Sequence, residues 1–230
     1  MINKNLENLY KTYYEQALLN KKSLKISSPL LIKIDEEKYN NADLKIMIIG
    51  QETFGWHGEF GSEDVQELMN GYDKYLNNNL RGKNKRVFWK AFHYFEKELN
   101  QFYSDKSIYC IWNNLIKISK YEDKGMTDKI RDFERKNFSV ISEEFKILKP
   151  DIVIFLTGPN RDKDIRYNFS NVSFDNMGFP EKIKDKRTYL TAHRVISEDL
   201  PKKTVRLYHP NYFGGYNKVK SIALEILKKI

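Results

Sequence analysis

Four short runs constrain this chain more than anything else in it. They are LKIMIIG at 44–50, SIYCIWN at 107–113, DIVIFLTG at 151–158 and TVRLYHP at 204–210. Each is brief and rich in β-branched or aromatic residues, and each is followed by turn or polar residues. Buried strands of a helix-covered sheet read this way. The stretches between them carry helical spacing. Leu6, Leu9, Tyr13 and Ala17 fall on one side of a helix over 5–19, and SSPLLIKI at 27–34 reads as extended. Ser62 reads as the N-cap of a helix to about Asn78, and residues 87–102 predict an aromatic-rich helix. Phe138, Ile141, Phe145 and Leu148 predict another, stopped by Pro150, and Val219, Ile222, Ile226 and Ile230 share a face of the last. Residues 160–200 carry no clear pattern.

Strand and helix thus alternate, which predicts an α/β fold: a three-layer sandwich whose mainly parallel, four-stranded central sheet is flanked by helices. A length of 230 residues suits a single domain over 1–230. Residues 1–43 are expected to be a helical and extended lead-in, and 44–230 the core. Ligands of such sheets bind beyond the carboxyl ends of the strands, so the residues after each strand are the candidates.

Composition narrows the function classes. No apolar run reaches the roughly 20 residues of a membrane span, and the N-terminal MINKNLENLYKTYYEQ lacks an apolar signal core. A cytoplasmic protein without a membrane partner is expected, with a monomer favoured and the oligomeric state open. Cys110 is the single cysteine, which excludes an intramolecular disulfide and a Cys-rich zinc site. Its alternation with core positions predicts a buried, inert thiol. The net charge of +9 suits a polyanion such as a nucleic acid, while a chain rich in Lys, Ile and Asn throughout can be basic without one. Basic clusters such as Lys83, Lys85 and Arg86, or 182–187, are by themselves ordinary solvated faces. No phosphate-cradling glycine motif, no nucleophile elbow and no paired histidine spacing is present. No metal or cofactor is expected.

The strand ends collect Gln51, Glu52, Phe54 and Trp56 after the first run, Asn113 and Asn114 after the second, Thr157 and Gly158 after the third, and His209 to Phe213 after the fourth. Taken in order, these motifs resemble the uracil-DNA glycosylase superfamily. GQETF at 50–54 is similar to the family's GQDPY, and IWNNLIKI at 111–118 to its LNAVLTV stretch. IVIFLTG at 152–158 is similar to FLLWG, and HPNYF at 209–213 to HPSPL ahead of a closing helix. The resemblance spans roughly 44–230. Glu52 stands where the family has Asp, Thr53 and Tyr212 where it has Pro, Phe54 where it has Tyr, and Asn211 where it has Ser.

The resemblance implies a uracil-DNA glycosylase-like enzyme that flips a uracil-like or damaged base out of DNA and hydrolyses its N-glycosidic bond. Glu52 would stabilise the developing sugar cation and orient water, and His209 would donate to the departing base. Asn113 would read the base edge with its amide. Gln51, Phe54 and Trp56 would shape the pocket, and Phe213 would be the wedge that fills the vacated stack. Two other readings stay open. One is a catalytically inactive nucleic-acid or nucleotide-binding module of the same fold. The other is an unrelated α/β enzyme acting on a small molecule.

Overall fold

The computed structural model describes residues 1–53, 55–76, 86–123, 125–175, 192–211 and 216–230, without the side chain of residue 218. Their elements are α1 (Ile2–Asn20), α2 (Glu36–Asn41), β1 (Leu44–Glu52), α3 (Val65–Leu76), α4 (Val87–Phe102), β2 (Ile108–Ile116), α5 (Asp128–Asn137), α6 (Ile141–Leu148), β3 (Ile152–Phe155), α7 (Asp162–Asn168), β4 (Ser173–Asp175), β5 (Ala192–Ile196), β6 (Lys203–Leu207) and α8 (Tyr216–Lys229). The chain gathers into two compact units. The first takes 1–40, 52–83 and 113–148, and the second 41–51, 84–112 and 149–230.

The first unit is built on α1, α3, α5 and α6. Leu6, Tyr10, Tyr14 and Ala17 recur on one side of α1 and are buried, so residues expected as a lead-in supply part of this core. Tyr14 stacks on Phe60 with ring centroids 4.7 Å apart. Residues 27–34 are extended, as expected. Apart from the partly exposed Lys33 they are buried, outside any sheet, with single bridges from Ile26 to Lys120 and from Ser27 to Glu59. The cap of α3 is Asp64, not Ser62. Asp64 Oδ1 accepts from Glu67 N, while Glu67 Oε2 accepts from Asp64 N, both at 2.8 Å. This reciprocal capping box satisfies two donors that a helix start leaves open. The helix expected from Phe138 to Leu148 is interrupted. α5 closes as Phe138 N donates to Glu134 O, and α6 begins at Ile141, yet Phe138, Ile141, Phe145 and Leu148 are all buried.

The second unit carries the sheet. Its order is β2-β1-β3-β6-β5-β4. β1, β3 and β6 are parallel neighbours, with Ile49 beside Phe155 and Phe155 beside Arg206. β5 then pairs antiparallel with β6, and β4 antiparallel with β5. The sheet is therefore mixed and six-stranded, not mainly parallel and four-stranded. The two added strands come from the unpatterned 160–200 stretch. Ser173–Asp175 is too short, and AHRVI too polar, to announce a strand. α8 packs on β5 and β6, burying Val219, Ala223, Ile226 and Leu227. α4 buries Trp89, Phe92, Phe95 and Leu99, with Trp89 edge-on to Trp112 at 4.9 Å. Cys110 is half-buried in β2 rather than fully enclosed. No helix among the described residues is long and apolar enough to cross a membrane.

Candidate active site

Because β1, β3 and β6 run parallel, their carboxyl ends share one edge of the sheet in the second unit. Gln51 stands at the end of β1, and its Nε2 donates to Thr157 O across a 2.7 Å bond. That bond ties the chain leaving β3 to β1 and leaves Gln51 Oε1 as an acceptor. Leu156 N donates to Ile49 O at 2.8 Å, and Gly158 N to Leu207 O at 3.0 Å, so the three strand ends are laced together. Gly158 has φ of +71°, and a Cβ there would meet the Tyr208 ring and His209 N only at ordinary contact, 3.5–3.6 Å. A β-carbon there would be strained by the backbone angle alone. The Thr157 hydroxyl is fully buried and has no hydrogen-bond partner among the described residues. Behind this edge, Arg206 Nη2 meets Asp162 Oδ2 at 2.9 Å in a largely enclosed ion pair.

His209 follows β6 and lies in this cluster. Asn211 N donates to His209 Nδ1 at 3.2 Å. An Nδ1 that accepts cannot carry the proton, so a neutral ring carries it on Nε2. Burial lowers the imidazole pKa, and the Arg161 cation lowers it further. Both effects hold the ring neutral at physiological pH, with Nε2–H as a donor.

The other sequence candidates belong to the first unit or lie outside the described residues. Glu52 is the last residue of β1, one past Gln51, and is half-buried. Trp56 is half-buried and sits edge-on to His57 at 4.6 Å and to Tyr75 of α3 at 5.8 Å. Phe54 and Phe213 lie outside the described residues, as do residues 182–187 and Lys83 and Lys85 of the basic clusters.

Asn113 lies in the second half of β2, and its residue is fully buried. Its Nδ2 donates to Glu144 Oε2 at 2.9 Å, and its Oδ1 accepts from Lys117 Nζ at 2.5 Å and from Asn114 N at 2.8 Å. Both ends of the amide are thus engaged inside the protein. Lys117 Nζ also meets Glu144 Oε1 at 2.7 Å, and Tyr10 OH donates to the same oxygen at 2.6 Å. Glu134 accepts from Lys117 N and Ile118 N, one oxygen each. Burial lowers the Lys117 pKa, with Glu144 and Glu134 pulling it back. The sequence reading passed over this network, though a lysine inside the apolar run LIKI was its signal: an ammonium placed there needs a buried counter-charge.

Among the described residues no group of three or more His, Cys, Asp or Glu side chains is placed to hold a metal ion. Comparison with protein-family models, with curated proteins and with solved structures finds no match to this chain.

Proposed function

We infer that the chain is a DNA glycosylase-like hydrolase that takes a uracil-like or damaged base out of the stack and cleaves its N-glycosidic bond. The observation that carries this reading is His209: a neutral imidazole at the carboxyl end of a parallel strand, its Nδ1 occupied by Asn211 N–H and its Nε2–H left as the donor. Such a donor suits a leaving group that gains negative charge on a carbonyl oxygen. In the proposed reaction the C1′–N bond breaks and its electron pair goes to the base, whose anion is stabilised by His209 Nε2–H. Water adds to C1′ and gives up a proton, the base role that the sequence resemblance assigns to the Glu52 carboxylate. Gln51, tied to Thr157, offers its carbonyl oxygen to a base N–H. The net charge of +9 draws the protein to the DNA backbone.

One observation favours a second reading, a nucleic-acid-binding module without the reaction. The amide that the resemblance assigns to base reading, Asn113, is engaged by Glu144 and Lys117. The experiment that separates the two is alkali-labile strand cleavage of labelled oligonucleotides carrying uracil, hypoxanthine or other altered bases, single- and double-stranded. Cleavage by the wild type and its loss in Glu52→Ala support the hydrolase. Salt-dependent DNA binding with no cleavage supports the module.

A further inference from the structure

Within the second unit α4 and α8 line a partly open groove of about 280 Å³, to which Pro210 also contributes. Val87 and Ala91 give it an apolar wall, and basic and polar side chains complete the lining. Lys90 comes from α4 and Lys220 from α8, and neither ammonium is paired with a carboxylate among the described residues. Lys220 Nζ is held 4.1 Å from the centre of the Tyr94 ring, which fixes a cation at the wall without neutralising it. Tyr216, at the start of α8, places its hydroxyl in the interior with no partner among the described residues. Burial pushes the phenol pKa up, so this hydroxyl stays a neutral donor and acceptor. Asn217 adds a side-chain amide.

A buried hydroxyl without a partner is costly unless something else bonds it. Two lysines that line the same groove, with no carboxylate partner among the described residues, suit an anion. Two tyrosine rings and an amide suit a planar ring with polar edges. The volume, near the lower end of the roughly 300–1,000 Å³ typical of ligand pockets, admits one such unit and not two.

We propose that the groove between α4 and α8 binds one phosphorylated nucleoside, either a free mononucleotide or the 5′-phosphorylated end of a DNA strand. Lys90 and Lys220 hold the phosphate, and Tyr94, Tyr216 and Asn217 hold the nucleoside. The proposal does not depend on the reaction assigned to the strand ends, because none of these residues belongs to that cluster.

Isothermal titration calorimetry of the full chain tests it. The probes are the four deoxynucleoside 5′-monophosphates, the matching nucleosides, inorganic phosphate, and a short oligonucleotide with a 5′-phosphate or a 5′-hydroxyl. At least one monophosphate, or the phosphorylated oligonucleotide over its hydroxyl form, is expected to bind. That binding should weaken about tenfold or more in Lys90→Gln/Lys220→Gln, and several-fold in Tyr216→Phe. Lys90→Gln alone changes an exposed residue, so its loss of affinity reads the site even where the double variant folds poorly. Preference for the free nucleotide or for the strand end assigns the source of the ligand. The proposal is overturned by no binding of any phosphorylated probe, by equal binding to wild type and Lys90→Gln, or by inorganic phosphate binding as tightly as the nucleotides.

Discussion

Lys117 Nζ lies 2.7 Å from Glu144 Oε1, and neither side chain is reached by solvent. The pair joins elements distant in sequence. Glu144 on α6 also accepts from Tyr10 on α1, while Lys117, just past the end of β2, bonds back to Asn113. An ion pair taken wholly out of water contributes little net stability, but removing one partner strands the other. Lys117→Met should therefore lower the unfolding free energy by about 3–5 kcal/mol, measured by urea denaturation. Adding Glu144→Leu should recover part of that loss, because the Glu144 carboxylate is then no longer buried without its ammonium. A double variant as unstable as the sum of the two single changes would show that the charges do not interact.

Gly71 sits inside α3, where alanine is normally better by about 1 kcal/mol. Here an added Cβ would lie 2.2 Å from His57 Nε2, whose Nδ1 is bonded to Glu63 at 3.0 Å. Gly71→Ala should destabilise the wild type by displacing the His57 ring. In a His57→Ala background the same change should stabilise, as in an ordinary helix. Thermal melts of the four proteins read this reversal of sign, and a Gly71→Ala effect that is the same in both backgrounds would refute the contact.

His209 has a folded pKa below its ordinary 6.5. Between those two values the unfolded chain binds a proton that the folded chain does not, so stability rises with pH across that window. Below the folded pKa both states are protonated and the full cost is present. Acidification through and below about pH 6.5 should therefore destabilise the protein. His209→Gln should flatten that part of the stability profile, measured by denaturation at a series of pH values. An unchanged slope would mean that His209 titrates alike in both states.

Much of the strand framework was legible because β1, β3 and the apolar part of β2 are buried, β-branched runs bounded by turns. α4 was read at its observed bounds, since sixteen residues with Trp89, Phe92, Phe95 and Leu99 inside leave little ambiguity. β4 and β5 were not legible: the edge strand β4 has only three residues, and the five of β5 include His193 and Arg194, which leaves no period to detect. The cap of α3 was misplaced because Ser62 and Asp64 are both good cap residues, and only the Asp64–Glu67 reciprocity decides between them. At the site, an Asn-Asn pair at a strand end reads the same whether its amide faces a ligand or a buried ion pair. The partners that engage Asn113 come from residues 117 and 144, and no local pattern links them to it. The His209 tautomer depends on Asn211 N, a backbone group that sequence does not distinguish.

The most direct measurement is the single-turnover rate of free base released from a DNA duplex or single strand carrying one altered base. It would be compared among the wild type, Glu52→Ala and His209→Ala at matched DNA occupancy. Release by the wild type is predicted, with each variant slower by about 10²-fold or more while its DNA affinity stays within a few-fold. Absence of release from every altered base, or release at the same rate in all three proteins, would contradict the assignment of a glycosidic-bond hydrolase to these strand ends.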